Sequence, residues 1–154
     1  MFLYGIIITN YCKKGCLKLV RDIVHDPLFL GRKSENASEC DISIADDLID
    51  TLAENREKCV GMAANMIGKL KRIIVFDDEG KIKEMFNPEI ISQKQSFETE
   101  EGCLSLSGIR KTNRYKSIKV RWQTREFQVR IKTFTGWTAQ IIQHEIDHCN
   151  GILI

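Results

Sequence analysis

The chain has 154 residues, enough for one domain with an apolar core and too few for two domains of ordinary size. Hydrophobic residues make up 43% of it and charged residues 29%, the balance of a globular protein. Its 23 basic and 21 acidic side chains leave a net charge of +2, which excludes a general polyanion-binding role. We therefore expect a single domain over residues 1–154 and no DNA partner.

The N-terminal segment and the cysteines indicate the cellular compartment of the protein. Residues 2–8 form an apolar run, but no positive charge precedes it, no small-residue cleavage site follows it, and it is too short to span a bilayer. Six cysteines would suggest disulfides in a small secreted chain, but without a secretion signal they are expected to stay reduced. These features predict a cytoplasmic protein with no membrane partner.

The first regular element is a predicted helix over residues 43–59. Its apolar residues recur at i, i+4, i+5 and i+8, Ser43 is a suitable N-cap, and Asp46 and Asp47 fall in the first turn, where the helix dipole favours negative charge. Residues 60–69 follow with small side chains and two glycines, so the backbone there can approach another group closely. We expect a loop or an edge segment at these positions.

Five short runs are predicted as strands. Residues 71–76 and 81–86 flank the turn sequence DDEG, in which Gly80 can supply a positive φ, and they predict a hairpin that Pro88 closes. Residues 89–97, 117–122 and 126–134 are also predicted strands, the last two from the alternation of apolar and polar residues. Nine Lys or Arg residues between positions 110 and 132 are expected to lie on solvated faces.

The last element is a predicted helix over residues 137–149, with Thr135 as a candidate N-cap and Gly151 as the stop. Central strands with a helix on either side predict an α+β fold. In this fold we expect short antiparallel sheets packed around the C-terminal helix and a second helix near the N-terminus.

The C-terminal helix carries an HExxH motif within the segment QHEIDH, residues 143–148. His144 and His148 lie at i and i+4, so both imidazoles can reach one metal ion while Glu145 lies beside it. Only six residues follow the motif. A third ligand is therefore expected from upstream.

The candidates for the third ligand are a histidine, a cysteine or a carboxylate. His25 lies in a predicted turn next to a proline, which disfavours it. Cys103 has the most suggestive setting among the cysteines, because a glycine precedes it and Glu101 could accept a hydrogen bond from a ligating histidine. Cys149 adjoins the motif but points to another side of the helix.

Three segments of the chain, taken in order, resemble the three motifs of the peptide deformylase family. They are GMAANMIG at residues 61–68, EGCLS at 101–105 and QHEIDH at 143–148. The last two together are specific, whereas HExxH alone occurs in unrelated proteins. The resemblance begins near residue 17, which leaves residues 1–16 as an extension outside it. It implies hydrolysis of the formyl group from the N-terminal formyl-methionine of newly made proteins.

The resemblance also implies roles for particular residues. Cys103, His144 and His148 would hold one divalent metal ion, usually Fe(II) in the family, with zinc, nickel or cobalt able to occupy the site. Glu145 would take a proton from a water and return it to the departing amine. The backbone N–H of Leu104 would stabilise the oxyanion.

The same likeness implies how the formyl-methionyl nascent peptide binds. It would add as a β-strand against the backbone of Val60, Gly61 and Met62. Arg110 resembles an arginine that contacts the bound peptide in relatives. The methionine side chain would enter a soft pocket, and the candidates for its lining, equally compatible with core positions, are Met62, Met66 and Ile142.

Several features depart from the family. Its pattern GxGxAAxQ ends in a glutamine whose amide donates to the oxyanion, but this chain has Met66, which has no donor, and Cys59 replaces the first glycine. We therefore expect reduced activity unless the amide of Asn65 substitutes. Many bacterial deformylases also continue into a helix that docks on the ribosome, whereas this chain stops at Ile154, so a transient ribosome contact would need another surface.

Three other hypotheses are compatible with these residues. Met66 changes the wall against which the carbonyl must lie, so the chain could deacylate a different small amide. It could instead bind formyl-peptide without turnover. A zinc peptidase is disfavoured, because no ligand follows the HExxH motif.

Overall fold

The structure is a computed structural model that describes residues 18–154. Within this range the chain forms three α-helices, five β-strands and two 3-10 turns, Glu39–Asp41 and Ala64–Ile67. The helices are α1 (Pro27–Leu30), α2 (Ile42–Glu54) and α3 (Gly136–Cys149). The strands are β1 (Gly61–Ala63), β2 (Ile73–Asp78), β3 (Lys81–Gly102), β4 (Ile109–Gln123) and β5 (Val129–Thr135). The sequence predictions for residues 1–16 lie outside the described residues.

The five strands form one antiparallel sheet in the order of the chain, β1 to β5. The predicted α+β class is confirmed, but the strands make a single sheet with two long members instead of several short sheets. The predicted hairpin is also present: Glu79 and Gly80 connect β2 to β3 with φ values of 53° and 87°. Positive φ at both positions matches the twist of the paired strands.

Pro88 does not close the second strand as predicted. It lies inside β3, at a register shift between Phe86 and Glu89, where a missing backbone N–H is tolerated. Asn87 next to it has a φ of 52°, and its side chain bonds to both backbone groups of Ala37. The ladder therefore continues through the bulge, and residues 81–102 form one strand.

The sheet is covered on both faces, and this decides where the HExxH helix lies. Alternate residues of β2 point to opposite sides: Ile74 and Phe76 pack in the cluster that contains α3, whereas Ile73 and Val75 pack in the cluster that contains α2. All four are almost fully buried. One face of α3 is thus fixed against the sheet.

The helix boundaries differ in part from the prediction. α2 begins at Ile42, because the turn formed by Ser38 and Asp41, in which Ser38 N donates to Asp41 Oδ2 at 2.8 Å, starts the helical run one turn earlier. Ser43 is therefore inside the helix and is not its N-cap. The helix ends at Glu54, since Asn55 turns its amide back to Thr51 O at 2.8 Å.

The ends of α3 match their prediction more closely. It begins after Thr135 in the N-cap position, and Gly151, with φ 73°, follows its last turn. Residues 60–69 form the edge strand β1 and the turn after it. Among the helices of residues 18–154, none is long and apolar enough to cross a membrane.

Candidate active site

A cysteine and two histidines meet between α3 and the loop that joins β3 to β4. The β3–β4 ladder continues to the pair Gly102 and Ile109, so Cys103 lies at the start of a short loop at the end of the hairpin. Its Sγ atom is 3.2 Å from His148 Nε2, which is 3.2 Å from His144 Nε2. The three donor atoms lie within 4.8 Å of one another. The structure thus brings together three residues that are far apart in sequence.

The protonation of this cluster shows what it can hold. Burial and the charge of His144 lower the pKa of His148 to about 3, so its ring is neutral. Burial opposes the charged form of His144, but hydrogen bonds to Cys103 and Glu101 raise its pKa to about 10. The ring of His144 therefore keeps its proton in the metal-free cluster. A cation can replace that proton, because metal ligands must be deprotonated. A thiolate with two imidazoles suits zinc and first-row transition ions.

The second ring nitrogen of His144, Nδ1, is bonded to Glu101. His144 Nδ1 lies 2.9 Å from Glu101 Oε2, and Gln140 Nε2 donates to Glu101 Oε1 at 2.9 Å. Arg114 donates to both carboxylate oxygens of Glu101, at 2.9 and 2.7 Å, and to Asp147 at 2.6 Å. Burial opposes the charge on Glu101, but the bonds to His144 and Arg114 lower its pKa to about 2. A fixed carboxylate therefore orients the ring of His144.

Arg114 corrects the prediction that the basic residues of 110–132 lie on solvated faces. It is only 4% exposed, and it joins the end of β3 to the HExxH helix through Glu101 and Asp147. The alternation of side chains along β4 places Arg114 on the face of the sheet that packs against α3. From sequence alone, however, an arginine is expected to be solvent-exposed unless its acidic partners are known.

Glu145 lies against β1 and is 3% exposed. A Cβ atom on Gly61 would lie 2.6 Å from Glu145 Oε1, so the glycine lets the strand pass directly over the carboxylate. Among the described residues, Glu145 Oε2 has no hydrogen-bond partner. Burial raises the pKa of Glu145 to about 7. The carboxyl group can therefore both accept and release a proton near neutral pH.

An open cleft of about 510 Å³ lies over these groups. The structure brings four of the predicted substrate and oxyanion positions to it: Val60, Gly61, Met66 and Leu104. Met62 and Ile142 are 0% exposed and pack in the core, and neither lines the cleft. Arg110 does not line it either, and its guanidinium donates to Ser107 O at 3.2 Å. The lining also includes Trp137, Gln140 and Ile141, which the sequence did not single out.

Asn65 does not offer its amide to the cleft. Its Nδ2 donates to the backbone oxygens of His148, at 2.9 Å, and of Leu30, at 3.4 Å, and the residue is fully buried. The idea that Asn65 replaces the missing glutamine is therefore wrong in this conformation. Met66 takes that position in the wall, and its Sδ atom accepts a hydrogen bond from Ala63 N at 3.4 Å.

Two further residues position the site. His25 is not part of the donor cluster, but its Nδ1 lies 2.9 Å from Ser105 O and so contacts the loop that carries Cys103. Gln143, just before the HExxH residues, bonds to both the N and the O of Tyr115 on β4, each at 2.9 Å. The sequence held one signal for the contact between Gln143 and Tyr115: a glutamine beside the HExxH motif, on a face of the helix that is buried.

The fold and the cleft define a class. An α+β sheet backed by an HExxH helix, with a thiolate from a hairpin loop completing the donor set, is the framework of a metal-dependent hydrolase. The family model described as polypeptide deformylase matches residues 20–154. The chain belongs to this family.

Curated relatives and solved structures agree with that assignment. A peptide deformylase of Clostridium beijerinckii is 54% identical over 136 residues, covering 88% of this chain and 100% of the relative, and one of Brachyspira hyodysenteriae is 40% identical over 133 residues, covering 80% and 70%. The Met-Ala-Ser-bound class I type b peptide deformylase of Acinetobacter baumannii has a TM-score of 0.79 at 28% identity, covering 88% of this chain and 97% of that one. The chain is thus a metal-dependent hydrolase of the deformylase type.

Proposed function

We propose that this cleft removes the formyl group from the N-terminal formyl-methionine of newly synthesised proteins, at a rate lowered by Met66. The observation that carries the proposal is the convergence of Cys103, His144 and His148 within 4.8 Å beside the buried carboxyl group of Glu145. Family membership supports this reaction, and the cluster supports its location beside Glu145.

Cys103, His144 and His148 would hold one divalent ion, Fe(II) in the cell, with zinc, nickel or cobalt as alternatives. The donors fit such an ion because the sulfur and the two Nε2 atoms face one another, while Glu101 fixes the far side of His144. When bound, the ion supplies a Lewis acid that polarises the formyl carbonyl and makes a water more acidic.

Glu145 would move the proton. Because its pKa is about 7, its carboxylate form can accept a proton from the attacking water, and its acid form can then donate that proton to the departing amine. The strand packs against Glu145 at Gly61, and the side chain of Glu145 is almost fully buried. This burial is also the cause of the raised pKa.

The oxyanion would be stabilised on one side by the backbone N–H of Leu104, which lines the cleft. On the other side Met66 presents a thioether, which cannot donate a hydrogen bond. Loss of one such donor costs about 10² to 10³ in turnover in other hydrolases. We therefore expect the chain to be a slow deformylase.

The peptide would add to the sheet at β1. This strand pairs with β2 on one side only, and its other side, at Val60 and Gly61, borders the cleft. The formyl group would then lie between Glu145 and Leu104, and the remainder of the peptide would pass the exposed ring of Trp137. Residues 18–154 would act as one catalytic domain in the cytoplasm, on chains leaving the ribosome.

The deciding experiment is formate release from formyl-Met-Ala-Ser by protein loaded with Fe(II) under anaerobic conditions. Release at a slow but measurable rate supports the proposal. Met66 also favours a second candidate, a deacylase for another small amide. Release of acetate or propionate from acetyl- and propionyl-peptides under the same conditions would detect it. A protein that binds metal and formyl-peptide but releases no acid from any substrate would contradict both.

A further inference from the structure

The backbone groups of β1 that face the cleft can be identified from its pairing. Asp77 N donates to Val60 O at 2.8 Å, and Gly61 and Met62 pair with Phe76 and Val75. In an antiparallel ladder, residues alternately turn both polar groups toward the partner strand and away from it. The N–H and C=O of Gly61 and of Ala63 therefore point away from β2, toward the side on which a further strand would pair.

Both of these residues already have a sulfur atom of the same chain as a partner. The Cys59 thiol donates to Gly61 O, with Sγ 2.7 Å from the oxygen, and Ala63 N donates to Met66 Sδ at 3.4 Å. Both sulfur-bearing side chains line the cleft. They are also the two positions of the segment at which this chain departs from GxGxAAxQ, Cys59 at the first glycine and Met66 at the glutamine.

We propose that Cys59 is a positioning residue that caps the carbonyl of Gly61, so that a peptide can pair with β1 only after the thiol has turned away. The inference rests on the proposed addition of the substrate as a strand to β1. A glycine at position 59 would leave that carbonyl open, because it has no side chain. The cysteine thus weakens peptide binding and makes it depend more strongly on a backbone N–H of the peptide that can pair with Gly61 O.

The chemistry of the thiol supports this assignment. Burial and the neighbouring charge of Glu145 raise the pKa of Cys59 to about 12, so the group keeps its proton and remains a donor. An S–H group is a weak donor, which an amide N–H can displace. The cap therefore opens for a backbone that supplies an N–H at that point, and it stays closed to one that does not.

The test is the affinity of the metal-loaded protein for the tripeptide Met-Ala-Ser, measured by calorimetry, so that no turnover is needed. Cys59→Ala removes the donor, and Cys59→Ser keeps its size and supplies a stronger O–H donor. We expect the alanine variant to bind about fivefold more tightly than the unmodified chain, as the loss of one competing hydrogen bond predicts, and the serine variant to bind no more tightly. Cys40→Ala is the matched control, because Cys40 is exposed and does not line the cleft.

A second measurement separates capping from a merely structural role. Tripeptides methylated at one backbone nitrogen at a time lose one N–H each, and the gain from Cys59→Ala should vanish for the peptide that lacks the N–H paired with Gly61. Equal affinity of the alanine and serine variants overturns the proposal, and so does a gain that persists for every methylated peptide. Failure of all the proteins to bind any tripeptide overturns the strand addition itself. Absence of formate release with normal tripeptide binding contradicts only the proposed function.

Discussion

Gly61 and Glu145 are in contact without space for a side chain between them: a Cβ atom on Gly61 would lie 2.6 Å from Glu145 Oε1 and 2.7 Å from Ile141 Cγ2. The edge strand and the HExxH helix therefore pack backbone against carboxylate. This contact covers the group proposed to move the proton and sets how closely β1, the proposed peptide-binding edge, approaches that group.

Gly61→Ala should displace Glu145 or the strand, because the added methyl group has no free volume. We expect activity on formyl-Met-Ala-Ser to fall at least about tenfold and stability to fall by about 1–3 kcal/mol, as measured by formate release and denaturant unfolding. Gly102→Ala is the control for stability, since its Cβ would meet only Gly108 O at 3.9 Å. Wild-type activity in Gly61→Ala would show that the contact is not tight.

Glu145→Ala and Cys103→Ser should separate catalysis from metal retention. Without the carboxylate no group transfers the proton, so turnover should fall by at least about a hundredfold while the bound metal stays at the wild-type level. Cys103→Ser replaces the thiolate by a poor ligand and should lose metal. Elemental analysis of both purified variants is the measurement. Equal metal loss in the two would contradict these separate roles.

Glu101→Gln should weaken metal binding although Glu101 is not one of the three candidate ligands. The substitution removes the charge that orients His144 and pairs with Arg114. We expect the affinity to fall about 10- to 100-fold, as measured by competition with a chelator. Glu98→Gln on the same strand serves as control, because Glu98 is exposed. An unchanged affinity in Glu101→Gln would contradict this role of the Glu101 carboxylate.

Met66→Gln should raise kcat, because it supplies the amide donor that this wall of the cleft lacks. The expected gain is up to about a hundredfold. Met66→Leu keeps the wall apolar and should give no gain, so the pair separates hydrogen bonding from a change in shape. If Gln and Leu behave alike in the formate assay, the oxyanion does not lie beside position 66.

Cys149 should make the fold sensitive to alkali. Burial raises its thiol pKa to about 12, above the ordinary value, so its contribution to stability is complete below about pH 9 and is lost as the pH rises toward 12. By pH 10 the loss should be on the order of 1 kcal/mol. Denaturant titrations at pH 8 and pH 10 measure it. Cys149→Ala, although less well packed, should show a smaller decrease between the two pH values, and an identical decrease would refute the assignment.

Much of the architecture followed from local patterns. The alternation in residues 117–134, the helical period near residue 48 and the turn at Gly80 are properties of short segments, and each predicted an element that is present. The ends of elements were less predictable. The passage of β3 through Pro88 depends on a bulge and on the contact of Asn87 with Ala37, about fifty residues away in the chain.

The sequence alone determined the residue types of the candidate ligands, the helical spacing of His144 and His148, and the family, because these are properties of residue identity and short-range order. Only the tertiary structure decided that Arg114 is buried, that Asn65 points into the core, and that Cys59 caps Gly61. Each of these depends on which distant backbone groups come within hydrogen-bonding distance once the sheet and α3 have packed together. Composition and periodicity do not contain that information.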